Sequence, residues 1–146
     1  ISLPAGTSTC QTRASCTGTA DEVKPPIAYE AGSASVKSNL LPLATTAGSG
    51  DGALSATTSF AYDPVGNVTA IDGPLPGTAD TSRFEYDAAR QQTKMVGPDP
   101  DGTGSRRGLA VRTTYDKDGR PRLIKRGNAD ADGKNFGVCI LCKQGR

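Results

Sequence analysis

Beyond residue 57 the chain alternates apolar and polar positions with a period of two, and the alternation stops each time at the same pair of residues. Phe60-Ala61-Tyr62-Asp63, Phe84-Glu85-Tyr86-Asp87 and Thr113-Thr114-Tyr115-Asp116 each read as a short strand ending in Tyr-Asp. Side chains two apart on a strand project from one face. Phe60 with Tyr62, and Phe84 with Tyr86, therefore form one-sided aromatic pairs. Return strands follow at Val68-Thr69-Ala70-Ile71, Thr93-Lys94-Met95-Val96 and Arg122-Leu123-Ile124-Lys125. Wider loops come next, rich in Gly and Pro, such as Pro74-Leu75-Pro76-Gly77-Thr78 and Pro98-Asp99-Pro100-Asp101-Gly102-Thr103. The unit is strand, tight turn, strand, wider loop, and no helical 3.6-residue period competes with it.

The tight turns carry their own chemistry. Asp63-Pro64-Val65-Gly66 fits a type I turn, with Asp first, Pro second and Gly fourth. Gly66 can then take the positive φ that carries a hairpin through a bulge. Asp116-Lys117-Asp118-Gly119 repeats the scheme without Pro. Asp87-Ala88-Ala89-Arg90 puts Arg where Gly stands in the other two, and a left-handed non-Gly residue costs about 1 kcal/mol or more. Another turn is expected for the middle hairpin. Each Asp is expected to hydrogen-bond the amides of its own turn, and each Tyr to be largely buried in a ladder of stacked hairpins.

Residues 57–127 thus form a hairpin region. Residues 1–56 are mostly Ser, Thr, Ala and Gly, with apolar islands at Ile27-Ala28-Tyr29 and Leu40-Leu41-Pro42-Leu43. They predict a loop-rich segment with one or two edge-like strands. Residues 128–146 leave the repeat pattern and are read as an irregular tail. The fold class is all-β. A hairpin with four or five residues per strand is marginal alone and has to stack on neighbours.

The motif residues Tyr62, Asp63, Gly66 and Asn67, then Tyr115, Asp116, Gly119 and Arg120, resemble the RHS/YD-repeat family of large, mostly bacterial, secreted or surface proteins. Its signature is Tyr-Asp followed shortly by Gly-Asn or Gly-Arg. Tyr86 and Asp87 keep the Tyr-Asp but lack the Gly. The resemblance covers about half the chain. It implies stacked β-hairpins winding into a spiral sheet that forms a hollow shell, which in family members often encloses a C-terminal toxin. Some members are linked to carbohydrate or cell-surface contact. The implied location is secreted or cell-surface. The implied partners are neighbouring repeats of the same parent, an enclosed toxin domain and, in a second reading, surface glycans bound by the hairpin loops. The family's C-terminal core segment, its self-cleavage residues and a toxin domain are not visible. The start at Ile1-Ser2-Leu3-Pro4 suggests an internal shell segment of a longer protein, with any export signal upstream.

Composition narrows the alternatives. The chain has 146 residues, 35% of them hydrophobic, with no Trp and one Met, so a dense independent core is not expected. Five of its seven aromatic residues lie in the Tyr-Asp strands, the mark of a repeated packing role rather than of a unique reaction centre. No apolar run approaches the roughly 20 residues that cross a bilayer as a helix, so no membrane span is expected. Residues 1–102 hold six Lys+Arg against eleven Asp+Glu, and residues 103–146 hold eleven against four. A basic C-terminal third could attract nucleic acid or anionic sugars. Between Tyr115 and Phe136 no aromatic residue interleaves with the cations, which speaks against nucleic acid as a partner. Arg106, Arg107, Arg120, Arg122 and Arg126 are read as solvated.

Candidate chemistry is sparse. The absence of histidine removes Ser-His-Asp and Cys-His catalysis and His-containing zinc sites. In an exported protein the spacing of Cys10 and Cys16 favours a small disulfide loop, with two free thiols as the alternative. Cys139-Ile140-Leu141-Cys142 is a C-x-x-C, but too few residues follow for the helix that would lower a redox thiol's pKa. A four-Cys zinc site with Cys10 and Cys16 would join segments from opposite ends of the chain. Asn128-Ala129-Asp130-Ala131-Asp132-Gly133 resembles the first half of a calcium loop, but Cys139 falls where the bidentate acid belongs. Asp99, Asp101, Asp130 and Asp132 could supply paired carboxylates for glycoside hydrolysis, yet no aromatic platform accompanies them. The expectation is a non-catalytic protein without cofactor or metal.

Overall fold

The computed structural model describes residues 3–12, 14–29, 40–101, 104–129 and 143–144. Their regular structure is all β, with antiparallel pairing throughout and no helix among the described residues. The chain forms two compact units, Ile1–Gly66 and Asn67–Arg146.

The first unit contains β1 (Thr9–Cys10), β2 (Glu22–Lys24), β3 (Ile27–Tyr29), β4 (Pro42–Ser49) and β5 (Ser55–Tyr62). Strand order is β1-β2-β4-β5, with β3 also on β4. β2 lies against Gly48 and Ser49, and β3 against Pro42 to Thr45, so both lie along β4. Pro25-Pro26 separates them, because prolines lack the N–H groups that serve a ladder. Pro26 still accepts a bond at its carbonyl from the Thr46 amide, 3.0 Å.

Four strands thus precede residue 55, where the sequence suggested one or two. The signal was weak because β4 and β5 are built of small and hydroxylated residues rather than alternating large apolar ones. Their register sets Thr46 opposite Thr57 and Ala47 opposite Ala56, and the two threonine hydroxyls meet at 2.8 Å. Threonine's β-branching suits a pleated strand. The connecting loop is tied by Asp51, whose Oδ1 accepts from the Ser49 hydroxyl (2.5 Å) and the Ala53 amide (3.0 Å).

The second unit runs β6 (Val68–Asp72), β7 (Ser82–Tyr86), β8 (Gln92–Val96), β9 (Gly108–Tyr115), β10 (Pro121–Ala129) and β11 (Lys143–Gln144), each strand beside the next. Register shifts fall between Glu85 and Tyr86 and between Pro121 and Leu123, at the turn ends of the two hairpins. The wider loops are held by carboxylates. Asp80 Oδ2 accepts the Leu75 amide at 2.9 Å, and Asp101 Oδ2 accepts the Arg106 amide at 3.0 Å.

The buried apolar side chains among the described residues are Cys16, Val96, Ala110 and Ala129, none larger than valine. Val96 pairs with Ala110, and Ala110 with Gly127. Beside them, Gly108 opposite Ala129 has to stay without a side chain because neighbouring backbone approaches it closely. A Cβ on Gly108 would lie 2.6 Å from the Gly97 carbonyl oxygen. Tyr62, Tyr86 and Tyr115 are half-buried, in contrast to the largely buried ladder expected of them. Each unit is a single sheet layer over its described residues, so no second layer closes over the aromatic rings.

Candidate functional site: the Tyr-Asp turns and the groove beside them

The three Tyr-Asp turns share one construction. The amides of Gly66, Arg90 and Gly119 donate to the carbonyls of Asp63, Asp87 and Asp116 at 3.0, 3.0 and 3.1 Å. The fourth residue is left-handed each time, with φ of 89°, 64° and 79°. An i to i+3 bond followed by a left-handed residue matches a type I turn leading into a bulge. Arg90 therefore keeps the scheme of the glycines, and the separate turn expected for the middle hairpin does not occur. What offsets the strain is visible. Arg90 Nε donates to Asn67 Oδ1 at 2.9 Å, so the arginine of one turn reaches the asparagine that follows the preceding one.

Each aspartate also bonds its own loop. Asp63 Oδ1 accepts the Val65 amide at 3.0 Å. Asp87 Oδ1 accepts the amides of Ala89 and Gln91, both at 2.9 Å. Asp116 Oδ1 accepts those of Asp118 and Arg120, also at 2.9 Å. The loops close where Asp87 and Asp116 amides donate to the carbonyls of Gln91 and Arg120, at 3.0 and 2.9 Å.

The tyrosines do something the aromatic pattern did not disclose. Tyr115 on β9 donates its hydroxyl to the carbonyl of Gln92, the first residue of the adjacent β8, at 2.8 Å. Tyr62 on β5 donates to the carbonyl of Pro42, the first residue of the adjacent β4, at 2.9 Å. In both cases the phenol pins the start of the neighbouring strand. Burial pushes the Tyr62 phenol above its ordinary pKa of 10.0.

A groove of about 620 Å³ lies between the second and third turns, bordered by Glu85, Lys94, Arg112, Thr114, Tyr115 and Lys117 among others. Lys94 is only 8% exposed, and its Nζ meets Glu85 Oε1 at 2.6 Å. Lys94 belongs to no motif, although its alternation with Val96 already places it on the buried face. The turns touch along the groove's rim, where a Cβ on Gly119 would lie 2.7 Å from Gln91 Nε2.

In the first unit Cys10 and Cys16 form a disulfide with Cα atoms 5.7 Å apart. Asp21 lies near both sulfurs, but a disulfide offers no thiolate for zinc. Beside it Glu22 is 2% exposed. Its carboxyl is held below the ordinary 4.5, chiefly by the Gly18 amide bonded to Oε2 at 2.6 Å, with burial opposing and Ser8 and Lys24 assisting. Gly50 is needed opposite, since a Cβ there would collide with Glu22 Oε2.

The remaining candidates separate from one another. Asp99 accepts the Asp101 amide at 3.3 Å and Asp101 the Arg106 amide, so both carboxylates serve their loop. Asn128 and Ala129 belong to β10, opposite Leu109 and Gly108. Asp130, Asp132, Cys139 and Cys142 lie outside the described residues.

No protein-family model matches this chain, and no curated protein matches it. Its site is therefore read from geometry.

Three outcomes test that geometry. Arg90→Gly should raise stability by about 0.5–1 kcal/mol in urea denaturation, relief of left-handed strain outweighing one exposed hydrogen bond. Tyr115→Phe should cost about 1 kcal/mol, the net worth of the lost bond, with the strand content of the circular dichroism spectrum retained. Glu22 has a lowered folded pKa, so its contribution is complete above the ordinary 4.5 and fades as pH falls through the folded value. Glu22→Gln should flatten the acid limb of the stability profile below pH 4.5, and an unchanged limb would remove Glu22 from the account.

Proposed function

We propose that this chain is a non-catalytic repeat segment of a secreted or surface protein of the RHS/YD type, contributing part of a β-shell around a C-terminal toxin or other cargo. The observation that carries the reading is the shared construction of the three Tyr-Asp turns, down to a left-handed Arg90 held where the other two place glycine. A motif kept in geometry where its sequence lapses is a building element. The hydroxyls of Tyr62 and Tyr115 support the same reading, since they tie strand to strand.

The function so proposed is mechanical. A strip of antiparallel hairpins encloses by covering area, and its neighbours in the parent would supply the contacts that a thin layer lacks. Glycan binding through the hairpin loops is the competing outcome.

If the strip is one part of a longer sheet, its end strands present unpaired N–H and C=O groups. Sedimentation velocity between roughly 10 µM and 1 mM should then show reversible, concentration-dependent association. A compact, cooperative monomer across that range, with saturable binding on a glycan array, would replace the shell reading by the binding module.

A further inference from the structure

The chain has two pairs of consecutive basic residues, Arg106-Arg107 and Lys125-Arg126, and each pair is followed by a glycine. All four basic residues are exposed. What differs is the backbone beneath them. Arg106 and Arg107 lie in the loop that joins β8 to β9, outside any strand or turn. Lys125 and Arg126 lie in the middle of β10, opposite Arg112 and Val111 of β9, with Gly127 opposite Ala110. Lys125 also ends a charged row, in which register sets Glu85, Lys94, Arg112 and Lys125 opposite one another from β7 to β10.

A backbone of this kind decides what a protease can use. A serine endoprotease takes its substrate as an extended segment with one side chain in a specificity pocket, and in trypsin-like enzymes an aspartate in that pocket selects a basic residue. A backbone already committed to a ladder has to open before it can be taken up. Exposed loops are therefore where chains are nicked. Gly104, Ser105, Arg106 and Arg107 are four exposed residues in succession that lead up to β9. The Arg106 amide is bonded to Asp101 Oδ2 at 3.0 Å, and that bond is itself exposed.

We propose that Arg106-Arg107 is a processing site for a trypsin-like serine endoprotease, cut at the bond between the two arginines with Arg106 in the specificity pocket. The bond after Arg107 is a poorer target, because Gly108 is buried at the head of β9 and the next carbonyl, of Leu109, accepts the Gly97 amide at 2.8 Å. Hydrolysis breaks the C–N bond and adds water across it, leaving a carboxylate on Arg106 and an amine on Arg107. The nick does not dismantle the sheet. Lys94, Met95 and Val96 of β8 stay paired with Arg112, Val111 and Ala110 of β9, so the second unit becomes a two-chain sheet. The proposal does not depend on the shell reading.

The test is a time course of the whole folded chain with a trace of trypsin, read by intact mass, with cuts at other sites followed as separate masses. Cutting at Arg106 should outpace cutting at Lys125 or Arg126 by at least about tenfold, because only the second pair has to leave a ladder first. Peptides of residues 104–111 and 123–130 should be cut at rates within about threefold of each other, which assigns the difference to the fold. Arg106→Gln should move the cut to the bond after Arg107 and slow it at least about tenfold. After the wild-type cut the two fragments should co-elute in gel filtration. Far-ultraviolet circular dichroism checks that chain and variant are folded. Equal rates at the two basic pairs of the folded chain overturn the proposal, as does a peptide pair that already differs as the chain does. An Arg106→Gln chain nicked at wild-type speed overturns the choice of bond, and fragments that separate overturn the two-chain product.

Discussion

The Tyr-Asp hairpins depend on one carboxylate oxygen that accepts backbone N–H groups from its own loop. At Asp87 and Asp116 the same Oδ1 takes two amides, one two residues ahead and one four ahead. That double acceptance folds the loop, brings the fourth residue into the left-handed region and places the bulge at the start of the return strand. Register follows from the bulge. With a period of two, a slip of one residue would exchange the faces of every side chain on the strand. The half-buried aromatics, the small core at Val96 and Ala110 and the charged row all take their faces from this loop chemistry.

The same logic explains Arg90. A left-handed arginine is unfavourable by itself, but the closing bonds of Asp87 and Gln91 over-determine the loop. The bond to Asn67 then recovers part of the cost. Strain is tolerated where the surroundings leave no alternative. Reading Arg90 from its intrinsic preference gave the wrong turn because the preference of one residue was weighed against a loop held by several bonds.

Elements whose information is local were legible in the sequence. The return strands, the turn positions and the role of each Asp follow from spacing and from the donor and acceptor groups of a few adjacent residues. The β4–β5 hairpin was not legible, because Thr46 opposite Thr57 and Ala47 opposite Ala56 become a pattern only once the strands are aligned. The tyrosine hydroxyls were hidden for the same reason. Tyr115 finds its acceptor 23 residues away, on a strand whose register is set by a different turn. The charged row needed three registers at once, although the alternation of Lys94 with Val96 already marked one of its members as facing inward.

A thin sheet changes how such a row should be weighed. In a two-layer domain a buried lysine can persist because surrounding packing outweighs its cost. Here the buried apolar groups among the described residues are few and no larger than valine, so little packing energy is at hand there to hold three cations in line. Local rules are most informative where a protein can least tolerate breaking them. The turns in this chain satisfy their amides and carboxylates closely, and the wider loops do the same through Asp80 and Asp101. Against that background, the cations that register sets opposite one another across β8, β9 and β10 form a row that local pairing rules do not favour.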